Sequence, residues 1–177
     1  MRIKNLNRNT VFENIILILS HSVIIFVSFI LQTSVFSMIP FFKSTPNLML
    51  IIVFTYGLLY GESIGVITGI ICGLFFDMYF DEVFGVYVLI YSIIGYANGS
   101  LHSSFYGDSI SLPMILSIIN SLVFNIYIYV IHFLIRGRFN FLFYLFQIIL
   151  PNVLITLITT IIIYKFLYQY NVLEDRK

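Results

Sequence analysis

Charge is what this chain has least of. Its 177 residues include 9 Lys+Arg and 8 Asp+Glu, 10% in all, where soluble globular domains carry about 25%. A soluble fold of this size would lack the polar side chains to cover its surface. Disorder is excluded from the other side, because it requires low hydrophobicity, and 60% of these residues are apolar. Cysteine is nearly absent: Cys72 alone rules out an internal disulfide and a cysteine zinc site. Within its apolar run it reads as a small packing side chain. A net charge of +1 leaves no basic footprint for nucleic acid. There is no tryptophan, so the 13 tyrosines are the main interfacial aromatics. What remains is a chain whose solvent is a lipid bilayer.

A spanning helix needs about 20 mostly apolar residues. After a basic head (Arg2, Lys4, Arg8), residues 15–39 form the first expected span, broken afterwards by Pro40, Lys43 and Pro46. Its apolar core is longer than a signal peptide's, lacks an A-x-A exit and precedes further spans, so it is expected to stay uncleaved. The stretch from Asn47 to Phe80 has one polar interruption, Gly61-Glu62-Ser63. As a single helix it would reach about 51 Å, too long for a ~30 Å hydrocarbon core. Two short spans, 47–60 and 63–80, are expected instead. Spans at 83–101, 111–135 and 141–168 complete an all-α integral membrane fold, a six-transmembrane-helix bundle in one domain. Pro113 falls in the first turn of the fifth span, where a missing N–H costs least. Pro151 removes the donor to Gln147 O and predicts a kink in the sixth.

Six spans with the N-terminus inside place Arg2, Lys4, Arg8, Lys165, Arg176 and Lys177 on the cytoplasmic side, and Lys43, Arg136 and Arg138 outside. Merging 47–80 into one span weakens this bias to five against four. The positive-inside rule therefore favours six spans and both termini in the cytoplasm.

Gly61, Gly65, Gly69 and Gly73 recur every four residues, with Asp77 on the next step. Each step drifts about 40° around a helix, so the set makes one slowly wrapping stripe. A stripe without side chains admits another helix backbone, from this chain or from a partner. Gly95 and Gly99 repeat the device once on the fourth span. Asp77 is the one acid within this stripe. Intramembrane acids are costly to insert and default to a functional role, here a buried, hydrogen-bonded group at a helix contact. Asp77 lies four residues from Asp81, near the end of the span, and the alternative is an acid that reaches headgroup water. Asn120, Asn125, Gln147 and Asn152 read as interhelical hydrogen bonds, typically worth ~0.6 kcal/mol each. His21, His102 and His132 are scattered. No H-E-x-x-H, P-loop, G-x-S-x-G or Ser–Lys pattern is present. No catalytic set, metal site or cofactor is expected. The residues alone describe a small polytopic bundle built for helix docking.

Several stretches resemble the MreD family of rod shape-determining membrane proteins. They are Gln32-Thr33, Pro46-Asn47-Leu48-Met49-Leu50, Tyr60-Gly61, Gly69-x-x-x-Gly73-Leu74-Phe75-Phe76-Asp77, Gly85, and Tyr91 to Gly99. Asn47 stands where that family usually has Asp. Gly61-Glu62-Ser63 and His102-Ser103-Ser104 stand where basic residues are common. The resemblance implies a non-enzymatic component of the bacterial elongation complex in the cell membrane, coupling cell shape to peptidoglycan synthesis. Its implied partners are MreC, RodA and a penicillin-binding transpeptidase, with MreB indirectly. It also implies a bundle similar to the substrate subunits of energy-coupling-factor transporters. The alternative function is such a subunit itself, binding a small molecule for import. Those subunits commonly carry Ala-x-x-x-Ala on the first span, and the first span here has no alanine.

Overall fold

The computed structural model describes residues 21–35, 45–80, 84–104, 111–134 and 141–175. The basic head, both ends of the expected first span, Pro40, Lys43, Asp81-Glu82, residues 105–110, Arg136-Gly137-Arg138 and Arg176-Lys177 lie outside them. The described residues are almost wholly helical, with no strand among them. The helices are α1 (His21–Ser34), α2 (Leu48–Tyr60), α3 (Glu62–Phe80), α4 (Val86–Gly99), α5 (Ser111–Tyr129), α6 (Phe141–Tyr144) and α7 (Leu150–Asp175).

Three apolar runs, Glu62–Tyr79, Ser111–His132 and Leu142–Lys165, are long enough to cross a membrane. Helices α1, α2 and α4 are apolar but shorter. The division of 47–80 into two helices falls at Gly61, and Glu62 and Ser63 already belong to α3. Gly61 adopts φ 91°, ψ −178°, a region essentially restricted to glycine, so the chain reverses there within one residue. The fourth helix begins at Val86 rather than 83, after Gly85 at φ 102°.

On α5 and α7 burial is inverted relative to a soluble protein. The buried face of α5 carries Ser117, Asn120, Ser121 and Asn125, while Ile115, Ile118, Ile119, Val123 and Ile126 are exposed. On α7, Thr156 and Thr160 are fully buried, while Leu154, Ile158 and Ile162 face outward. Apolar surroundings reward this arrangement, because polar groups then find partners only inside the protein.

Helix α2 is the centre. Every residue from Leu48 to Leu59 is buried, and α2 touches α3, α4, α5 and α7. A helix apolar all round belongs inside a bundle. Around it stand two antiparallel pairs. Helices α3 and α4 pack over their length. Helices α5 and α7 are joined by polar pairs: Ser117 and Thr160 share a hydrogen bond of 2.8 Å, and Asn125 Nδ2 donates to Asn152 Oδ1 at 3.0 Å. Asn98 and Asn120 exchange amide hydrogen bonds of 3.1 and 3.0 Å, tying α4 to α5. Of the four polar residues expected to bond between helices, Gln147 is the exception and is exposed. Helix α1 adds an aromatic contact, Phe29 against Phe75, Phe76 and Tyr79.

Just before Pro151, where a kink is expected, the helix makes a π-turn over Leu145–Ile149. Pro151 cannot donate to Gln147 O. The preceding amide, Leu150 N–H, reaches five residues back to Leu145 O. Pro151 then sits in the first turn of α7, where it is tolerated.

Candidate functional site: the α3–α4 lock and the Asn47 junction

The glycine stripe faces α4. A Cβ placed on Gly69 would meet Tyr91 O at 2.5 Å and Ser92 N at 2.8 Å. One on Gly73 would enter the backbone of Tyr87 and Val88, and one on Gly65 would enter Gly95. From the other side, Gly95 meets Gly65, and Gly99 meets the backbone of Glu62. The expected secondary contact at Gly95 and Gly99 is thus the opposing half of the same interface. Two helix backbones touch here with no side chain between them. Such contact is how helices associate in lipid, where the hydrophobic effect does not drive them together.

Gly61 joins this face through its backbone alone: a Cβ on Gly99 would lie 2.8 Å from Gly61 C, while the Cβ position of Gly61 itself points away. A Cβ there meets only His102 Cδ2 at 3.8 Å, and its glycine is required by the positive φ. Gly57, which was not among the expected docking residues, also enters the packing. A Cβ on Gly57 would lie 2.8 Å from Gly95 O and 3.0 Å from Gly99 N, and one on Gly65 would lie 2.9 Å from Gly57 Cα. Three helices therefore cross at Gly57, Gly65 and Gly95. The spacing carried the signal, since Gly57 is the step before Gly61. The reversal at Gly61 moves it onto another helix.

Asp77 ends the stripe, and it is 3% exposed. Its Oδ1 accepts from Tyr87 N–H at 2.9 Å and its Oδ2 from Val88 N–H at 3.1 Å. These are the second and third amides of α4, which a helix leaves without internal partners. An N-cap side chain ordinarily takes them, but the N-cap here is Gly85, which has none. Asp77 supplies the missing cap from the neighbouring helix, at the positive end of the α4 dipole. Gly73 permits this by letting Val88 come close. The expectation of a hydrogen-bonded acid at a helix contact thus has a definite geometry: a cap in trans.

A second junction was not legible as a site. Asn47 Oδ1 accepts from Leu50 N–H at 3.0 Å, from Tyr91 Oη–H at 3.0 Å and from Gln32 Nε2–H at 3.4 Å. Asn47 N–H donates to Thr156 Oγ1 at 3.2 Å. Gln32 Oε1 accepts from Met49 N–H at 3.1 Å, and Asn152 Nδ2 donates to Thr45 O at 2.8 Å. Side chains of α1 and α7 thus satisfy the backbone where α2 begins, and Tyr91 of α4 holds the Asn47 side chain that caps it. Asn152 and Thr156 lie in the middle third of the apolar run Leu142–Lys165, so α2 starts near mid-depth of the bundle. Non-helical backbone at that depth is tolerated only when protein groups satisfy it. At the other end of α2, His102 Nδ1–H donates to Leu58 O at 2.7 Å, satisfying one of its terminal carbonyls. His21 contacts Tyr60 Oη at 3.4 Å. Among the described residues no cluster of three or more His, Cys, Asp or Glu could hold a metal ion.

The lock sets opposite expectations for neighbouring substitutions. Gly73→Leu must separate α3 from α4 and is expected to cost about 1–3 kcal/mol. This exceeds the gain of up to ~1 kcal/mol from better helix propensity. Asp77→Leu strands two part-buried amides at up to about 1–3 kcal/mol each, whereas Asp77→Asn keeps one acceptor oxygen and is expected to be milder. Thermal unfolding in mild detergent checks both. A neutral or stabilising Gly73→Leu, or an Asp77→Leu no worse than Asp77→Asn, would contradict the geometry.

Comparisons with curated proteins and with solved structures gave no match. A family model does match, that of rod shape-determining protein MreD, over residues 12–171. It covers both glycine-lined helices, Asp77 and the Asn47 junction, and the apolar helices agree with a membrane protein. The chain belongs to the MreD family of rod shape-determining membrane proteins.

Proposed function

We propose that this protein is a non-enzymatic membrane scaffold of the bacterial elongation complex, holding wall-synthesis proteins in register with the cell-shape machinery. The family match over residues 12–171 carries this reading. MreC, RodA and its penicillin-binding transpeptidase are the proposed direct partners, with MreB reached indirectly. The lock refines how such a scaffold would work. Helix α4 occupies the glycine stripe, so a partner meets the bundle elsewhere and the stripe's role is to keep the frame rigid. A scaffold must hold a defined shape while its partners bind, and a backbone-to-backbone contact deforms less than one made through long side chains. The import-subunit alternative gains nothing from the family match. Depletion in a rod-shaped host is expected to give rounded, widened cells, and affinity purification in mild detergent to recover MreC and a penicillin-binding protein. Retained rod shape, with no second copy of the gene, would overturn the proposal.

For topology we propose six crossings in a cell-membrane bundle similar to energy-coupling-factor substrate subunits, with both termini cytoplasmic. The Lys/Arg distribution supports the orientation. The central position of α2 suits a span too short to cross alone: its 13 residues rise about 20 Å. A C-terminal alkaline phosphatase fusion is expected to be inactive, and activity on the outer side of the membrane would reverse the assignment.

A further inference from the structure

The ladder between α5 and α7 has a step with no direct bond. Ser117 pairs with Thr160 and Asn125 with Asn152. The antiparallel register of these two pairs puts Ser121 and Thr156 opposite each other at the step between. Both are fully buried. Among the described residues Ser121 Oγ has no hydrogen-bond partner. Thr156 Oγ1 accepts the Asn47 N–H at 3.2 Å and keeps a second lone pair and its own proton.

We propose that this step is a binding site for one small hydrogen-bonding molecule, a water that bridges Ser121 Oγ and Thr156 Oγ1. Buried waters occupy such places, where polar groups in the interior would otherwise go unpaired and two or more of them converge. The two hydroxyls provide donors and acceptors in either sense, so the bridge forms without ionisation or rearrangement of the pairs on either side. The site lies at the midpoint of the apolar run Ser111–His132, and Thr156 links it to the start of α2. The two seams of the bundle then differ at this step. The α3–α4 contact is backbone on backbone, with no room for solvent. The α5–α7 seam is polar, and a bridging water lets its two helices shift slightly without losing a bond. Each of these helices also carries a π-turn at the same end of the seam, over Val130–Leu134 and Leu145–Ile149. Such turns are frequent where helices adjust for function.

Water-edited solid-state NMR of the full chain in lipid vesicles tests the site. Ser121 and Thr156 signals are expected to gain water magnetisation later than exposed Ser100 but well before Gly69 and Gly73. Build-up as slow as at Gly69 would overturn the proposal. A stability measurement gives an independent sign. Ser121→Ala is expected to lower Tm if the hydroxyl holds a water. An unchanged or raised Tm would mean the hydroxyl is dry, and would overturn the proposal by itself.

Discussion

The fold depends on one contact, the approach of two helix backbones along the face that joins Gly65, Gly69 and Gly73 to Gly95, Tyr91 and Val88. In lipid, helices gain little from burying leucine against leucine, so close packing and hydrogen bonds must hold them together. Glycine is the poorest helix former after proline, about 1 kcal/mol below alanine per position. A helix interior with three of them, four residues apart, would be a weak design in water. In a bilayer, exposed backbone has no competing solvent partner, and the loss in propensity is set against contact along the whole interface.

That contact determines what the neighbouring residues can do. With Val88 drawn in against Gly73, the first turn of α4 comes within reach of Asp77, and an acid from one helix caps the next. With α4 fixed, Tyr91 stands where its hydroxyl meets Asn47. The start of α2 is thereby anchored to α4 as well as to Gln32 and Thr156. At its far end α2 enters the same system through Gly57. The central helix is thus joined to the glycine-lined pair at one end by packing and at the other by hydrogen bonds. This accounts for a 13-residue helix that is buried from Leu48 to Leu59 without reaching full membrane thickness.

Much of this was legible in the sequence, for reasons that follow from periodicity. Four-residue spacing fixes which glycines share a helix face, so the stripe and its continuation to Asp77 are readable from spacing alone. The helix boundary near Gly61 followed from polar interruption. Spacing on one helix does not say what lies opposite, so the partner of the stripe could not be read. Gly61 meets Gly99 through its backbone, but a positive-φ turn interrupts the helix there and turns its own Cβ position away from the packing face. Asn47, Gln32, Tyr91 and Thr156 are single polar residues on four different segments, and only the tertiary fold brings them together. The α5–α7 ladder was half legible. Asn125 and Asn152 stood out as amides, while Ser117, Ser121, Thr156 and Thr160 carry the same four-residue repeat in hydroxyls common enough in helices to pass unremarked.

Residue-resolved amide hydrogen exchange at Tyr87 and Val88, on the protein in lipid, reads the lock and its cap at once. Amides in the first turn of a helix normally exchange freely because they lack internal partners. Here both are expected to be strongly protected in the wild-type protein and to lose that protection in Gly73→Leu and Asp77→Leu, while amides in the middle of α5 stay unchanged. Wild-type exchange at Tyr87 and Val88 as fast as in an uncapped helix start would contradict the account.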